Sequence, residues 1–375
     1  MSSQNRPMHD RWSFSQIVQA LPPSVPFVPP EALERRMGRA LRLRVGANES
    51  NFGASPRARA AMREAADGIH WYGDPEGYAL REALAQKHGV HWGEIALGSG
   101  IDDLLGLFVR LFINPGDPVV TSLGAYPTFN YHVEGYGGRL HTVPYRDDCE
   151  DLQALDEVAR REEPKLVYVA NPDNPMGTWH HREALAALAA NLPERSVLLL
   201  DEAYADFAPE EALLDPDVNG RRVVHLRTFS KAHGMAGARI GYAIAPRALV
   251  EGLDKIRNHF GINRVALAGA LASLGDVSYI DSVVADVEQG KEEYARLAQS
   301  LGTRTVPSAT NFVALDAGSG ARARALVRAL LERGVFVRMP SVAPLDRCIR
   351  ITVGPAPERA LLADEVRTAW QEVLT

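Results

Sequence analysis

Val197-Leu198-Leu199-Leu200-Asp201-Glu202-Ala203-Tyr204, followed after a polar gap by Val223-Val224-His225-Leu226-Arg227-Thr228-Phe229-Ser230-Lys231, is the stretch on which the reading of this chain turns. Each half is a short apolar run that ends in polar groups. Such a run, without polar alternation, describes a strand buried on both faces. Val119-Val120-Thr121 and Leu166-Val167-Tyr168-Val169 have the same form, and helix-period segments such as residues 182–190 lie between the runs. Strands alternating with helices predict an α/β architecture around a mostly parallel sheet. Ligands of such sheets sit beyond the carboxyl ends of the strands, so the polar residues that follow each run are the candidates for function.

Outward from this stretch, the chain divides. Its 375 residues are too many for one compact core. Residues 21–30 contain five prolines and read as an extended arm. From about Lys255 the pattern becomes a long helical stretch, then strands near 311–314 and 349–353 with a helix between. The expected organisation is an arm (1–45) packing with the small domain, a large domain (46–255) and a small α+β domain (256–375). A net charge of -6 argues against nucleic acid or an anionic membrane as the main partner. Only two cysteines occur, Cys149 and Cys348, far apart. With a polar start (residues 1–11) and an apolar stretch at 104–113 that Arg110 interrupts, they point to a reduced, cytoplasmic setting and small-molecule partners.

Four clusters follow strands or open helices. Gly98-Ser99-Gly100-Ile101-Asp102-Asp103 precedes a helical apolar face, and small residues there leave backbone N–H groups free for a phosphate. The alternative is a plain helix cap by Ser99 or Asp102. Asp103 stands where a dinucleotide-binding turn needs its third glycine. Asn171-Pro172-Asp173-Asn174-Pro175-Met176-Gly177 is a rigid turn that offers the Asn174 amide to a ligand oxygen. Asp201 ends a buried strand and needs a cation or several donors to stay ionised, or else caps the next helix. Thr228-Phe229-Ser230-Lys231, with Arg239 downstream, supplies an amine, hydroxyls and a guanidinium; a surface lysine in a glycine-rich loop is the plainer reading. His180-His181 has no acid or cysteine to complete a metal site and reads as a helix start, and no metal is expected.

Taken in this order on this strand pattern, the clusters resemble the class I/II pyridoxal 5'-phosphate (PLP)-dependent aminotransferases, most of all the histidinol-phosphate aminotransferase group. The resemblance covers the chain after its arm. It implies fold type I, with a large domain around a mostly parallel seven-stranded sheet and a smaller α+β domain. It implies that Lys231 carries the cofactor as a Schiff base and moves the α-proton. Asp201 would pair with the pyridinium nitrogen, and Tyr204 and Asn174 would bond the phenolic oxygen. Ser99, Gly100, Ile101, Thr228, Ser230 and Arg239 would surround the phosphate, and Phe129 would stack on the ring. Arg350 would grip the α-carboxylate, with Arg338 and Asn48 near the substrate. Tyr72 would reach the phosphate of a neighbouring subunit, which implies a homodimer with shared sites.

The sequence departs from that group at Asn48-Glu49-Ser50-Asn51-Phe52-Gly53, at Met176 in place of threonine, at Gly73 in place of proline and at Phe129 in place of tyrosine. These changes lead us to expect an aromatic amino acid among the donors beside histidinol phosphate, with a 2-oxo acid such as 2-oxoglutarate as acceptor. A PLP-dependent decarboxylase or lyase of the threonine-phosphate decarboxylase type would keep Lys231 and Asp201 and stays open at this point. A PLP-binding regulator would need a DNA-binding domain ahead of residue 46, where the proline-rich arm offers none.

Overall fold

The computed structural model describes residues 12–22, 28–218, 220 and 222–373. The polar start and the middle of the proline-rich arm, Pro23 and Pro26 included, lie outside the described residues.

In chain order the strands are β1 (Leu43–Arg44), β2 (Ile95–Gly98), β3 (Pro118–Ser122), β4 (Arg139–Val143), β5 (Leu166–Ala170), β6 (Val197–Asp201), β7 (Val223–Thr228), β8 (Gly241–Ile244), β9 (Phe312–Asp316), β10 (Val335–Phe336) and β11 (Cys348–Thr352). Seven of them form one sheet in the order β2-β8-β7-β6-β5-β3-β4. Only β8 runs against the rest of that sheet, pairing antiparallel with both β2 and β7. This is the mostly parallel sheet expected from the apolar runs, with the seven strands that the resemblance implies. Every residue of β5 and β6 is buried, as strands covered on both faces require.

The helix Ile101–Phe112 turns Leu104, Leu105, Phe108 and Val109 into one core layer with Leu166, Tyr168 and Leu199. Helices Leu152–Glu162 and Arg182–Asn191 cover the opposite face through Leu155, Leu185 and Leu188. Burial of these side chains, at roughly 25 cal/mol per Å² of apolar surface, is the main force that fixes the sheet.

A second body gathers around the antiparallel pair β9–β11, with helices Val277–Ser300, Gly320–Glu332 and Ala356–Glu372 packed on it. Strand β1 pairs parallel with β10, and Leu43 and Val45 enter this second core. The helix Arg264–Leu274 lies after residue 255, yet Ala266 and Ala270 share a core with Leu80, Leu84 and Ile244 of the large body. The change of packing therefore comes after Leu274, later in the chain than the division read from the sequence. Among the described residues no single helix is long and apolar enough to cross a membrane.

Candidate active site

The carboxyl ends of β5, β6 and β7 and the start of the helix Ile101–Phe112 open onto a cavity of about 310 Å³. Small-molecule sites begin at about this size. The loop after β7 carries Lys231 into the cavity, where its Nζ donates to the carbonyl of Asn48 at 3.0 Å. Burial first, and the nearby Arg350 charge second, bring this amine down to about 8.

Asp201 ends β6, only 5% exposed. Its Oδ2 accepts from the Tyr168 hydroxyl at 2.8 Å and its Oδ1 from the Ala203 N–H at 3.0 Å. These donors do not offset the loss of water, and burial pushes the carboxyl up to about 6. The site thus holds an acid that is short of a cation. Tyr204, next to it, accepts from Asn48 Nδ2 at 2.8 Å, and burial raises its phenol well above the ordinary range. Asn48 sits at φ 54 and is itself fixed by its N–H to Thr352 Oγ1 at 3.1 Å. The amide of this expected substrate residue is directed at Tyr204.

The other end of the cavity is formed by a helix start, Arg239 and two hydroxyls. Gly100, at φ +89, precedes the helix and offers no side-chain cap, so neither Ser99 nor Asp102 caps it. Any Cβ on Gly100 would lie 2.4 Å from Arg239 Nη2. The guanidinium therefore rests against a glycine at a helix start, a cradle suited to phosphate. Arg239 reaches this place from a left-handed backbone, φ +58, and also donates to the Ala236 carbonyl at 3.0 Å. Thr228 Oγ1 donates to Ser230 Oγ at 2.9 Å and accepts from the Ser230 N–H at 3.1 Å. Ile101, Thr228, Ser230 and Arg239 all line the cavity.

Two expected cofactor residues are placed differently. Phe129 has no exposed surface and stacks on Tyr168, ring centroids 4.6 Å apart, inside the core. Of the aromatics near this helix, Pro127–Gly135, it is Tyr126, three residues earlier at its foot, that lines the cavity. Phe129 packs in the core layer with Phe108, Val133 and Tyr168, and the wall position falls to the tyrosine that precedes the helix. Ser99 turns its hydroxyl to the Gly261 carbonyl at 2.8 Å, a loop bond that takes it off the cavity wall.

A second cleft adjoins the first and shares Lys231, Tyr204 and Asn174 with it. Its far wall holds Arg350, on β11, and Arg338, bridged backbone to backbone. Arg350 Nη1 donates to Asn174 Oδ1 and its guanidinium lies 5.3 Å over the Phe312 ring. Arg338 Nη2 donates to the Val28 carbonyl at 3.3 Å. Tyr72 lies outside both clefts of its own chain. It is 77% exposed, with its ring 4.6 Å from that of Phe260. Met176, the departure from threonine, is fully buried among Val306, Ala314 and Leu345, where it fills the seam between the two bodies.

Sequence reasoning passed over Tyr126, Tyr168 and the ligand-facing side of Asp102. Tyr168 was legible as the polar-tipped member of β5, but which way Tyr126 and Asp102 face depends on how two helices pack.

This donor set fits PLP: a buried acid of raised pKa, an arginine against a glycine at a helix start, and a buried amine of lowered pKa meet at one cavity. Residues 42–366 match the family model described as Aminotransferase class I and II. The chain is 34% identical to histidinol-phosphate aminotransferase 2 of Carboxydothermus hydrogenoformans, over 93% of this chain and 97% of that protein. It is 38% identical to histidinol-phosphate aminotransferase 2 of Ralstonia nicotianae, over 92% and 94%. The crystal structure of histidinol-phosphate aminotransferase from Sinorhizobium meliloti, in complex with PLP, superposes with a TM-score of 0.93 at 48% identity, covering 96% of this chain and 98% of that one. With fold, cradle and relatives in agreement, the chain belongs to the class I and II aminotransferases, is a transaminase of fold type I, and takes pyridoxal 5'-phosphate as its cofactor.

Proposed function

We propose that this aminotransferase moves the amino group of histidinol phosphate to a 2-oxo acid such as 2-oxoglutarate. The observation that carries the reading is the pair Arg350 and Arg338, joined backbone to backbone on the wall of the outer cleft. Histidinol phosphate bears a phosphate ester where an amino acid bears its carboxylate. Two guanidinium groups suit that dianion, and Arg350 alone suits the carboxylate of the acceptor. The relatives at 34% and 38% identity bear the name of the same activity. No carboxylate stands on the amine-bearing carbon of this donor, so the decarboxylase reading has no bond to break in it.

When bound, PLP supplies an electron sink for the pair left as the α-proton departs. The remaining work falls to side chains. Lys231 would hold the cofactor and then take the α-proton and return it, a role that a burial-lowered amine suits. Asp201 would face the ring nitrogen and gain there the cation that it lacks. Asn174 and Tyr204 would bond the ring oxygen, and Gly100, Ile101, Thr228, Ser230 and Arg239 would hold the phosphate. We further propose a cytoplasmic homodimer. Tyr72, exposed beside the exposed Ile69, Trp71 and Phe260, would complete the phosphate site of its partner.

A donor panel with 2-oxoglutarate tests the substrate: histidinol phosphate, phenylalanine, tyrosine, aspartate and threonine phosphate, with glutamate formation measured. Histidinol phosphate should show the highest kcat/KM and the aromatic amino acids a lower one. A histidinol phosphate value no better than that of aspartate would remove the assignment.

A further inference from the structure

Asp102 and Asp103 stand side by side at the start of the helix Ile101–Phe112, and their carboxylates do different things. Asp103 turns back and accepts the Ser99 N–H at 2.9 Å, the local bond for which helix starts ordinarily employ an acid. Asp102 turns toward the cavity. Its Oδ1 accepts from the Tyr126 hydroxyl at 2.9 Å, while its Oδ2 stays 3.7 Å from Arg239 Nη2. The helix that Tyr126 precedes adds a second tie to the same residue, because His132 Nε2 lies 2.9 Å from the Asp102 carbonyl. Gly106 makes room for that imidazole: a Cβ there would come within 2.8 Å of the ring.

Asp102 and Tyr126 both line the inner cavity, with Lys231 and Asp201, and the outer cleft, with Arg338 and Met339. A carboxylate beside a phosphate cradle repels the phosphate, so its presence calls for an offsetting role. The hydrogen bond to Tyr126 is that role. Burial, and then the Asp102 charge, raise the Tyr126 phenol well above its ordinary range, so it remains a donor across the working pH range.

We propose that Asp102 is a positioning residue for amino transfer: its carboxylate holds the Tyr126 ring as the aromatic wall common to the cofactor cavity and the substrate cleft. This rests on the aminotransferase reading above. Tyr126 lines both clefts, and Asp102 acts through it.

The test uses D102A, D102N, Y126F and the double variant D102A/Y126F, each stripped of cofactor and titrated with PLP, then assayed as holoenzyme for the donor KM and kcat. A hydrogen bond to a charged acceptor predicts that D102A raises both the PLP dissociation constant and the donor KM about tenfold, while kcat changes less. D102N keeps an acceptor oxygen and should stay within about threefold of wild type on both readouts. Y126F should reproduce D102A, and the double variant should be no worse than either single one, because two members of one contact are not additive. The proposal is overturned if D102A leaves both constants unchanged, if D102N is as impaired as D102A, or if the losses multiply in the double variant. K231A separates this from the underlying reading: turnover surviving in K231A would sink the aminotransferase site itself, whatever the Asp102 variants do.

Discussion

At the residue scale the site is organised by what burial does to two groups. Lys231 is pulled down to about 8 and Asp201 pushed up to about 6, both mainly by desolvation. The Asp201 shift has a stability consequence with a definite sign. Its carboxyl titrates near 3.8 when exposed and near 6 when folded. The folded state therefore binds the proton more tightly, and ionisation destabilises the fold, fully above pH 6 and not at all below about pH 4. In cofactor-free protein, Asp201→Asn should thus gain on the order of 2 to 3 kcal/mol at pH 8 by urea unfolding, a gain that fades as the pH falls toward 4. Equal stability of the two proteins at pH 8 would show that the acid is already paired. The same substitution should cost the holoenzyme at least ~10²-fold in kcat, as removal of a preorganised charge does. Lys231 and Asp201 were legible because each follows an apolar run. Phe129 was misplaced because a sequence motif fixes spacing and not which of two nearby aromatics the helix turns inward; Tyr168 holds Phe129 in the core.

At the element scale the helix start at Gly100 and the seam around β11 make the site. Gly100 holds φ +89, and a Cβ there would displace the Arg239 guanidinium that lies against it. Gly100→Ala should raise the dissociation constant of PLP by at least ~10-fold while affecting pyridoxal, which lacks the phosphate, far less. An equal loss for both ligands, measured by titration of the stripped protein, would show that the glycine serves only the fold. The four short apolar runs announced β3, β5, β6 and β7 because strands buried on both faces are mostly apolar along their length. Strand β8 is a short segment after the Arg239 loop that folds back antiparallel on β7, and its other partner, β2, is remote in the chain. The helix Arg264–Leu274 was read into the small domain for the same reason. Its small residues Ala266, Gly269 and Ala270 allow close approach to Ala58 and Met62, and composition does not tell which body it will join.

At the scale of the whole molecule the two bodies are tied across their seam by Arg347, held by Asp316 of its own body at 3.0 Å and donating across to Asp148 at 2.7 Å, and by the buried Met176 cluster. The substrate cleft draws Arg338 and Arg350 from one body and Asn174 and Lys231 from the other, so both must be in register for transfer. A partner subunit is expected to close the site at Tyr72. Sedimentation should show a dimer at assay concentration, and mixing Tyr72→Ala with Lys231→Ala protein should restore activity, since each mixed dimer holds one intact site. An active monomer would exclude shared sites. The most direct test of amino transfer itself is a half-reaction. Holoenzyme given histidinol phosphate without an acceptor should release the oxo product in amount equal to its subunits and stop, then resume with matching glutamate formation when 2-oxoglutarate is added. Continued turnover without an acceptor, or carbon dioxide released from an amino-acid donor, would contradict the account.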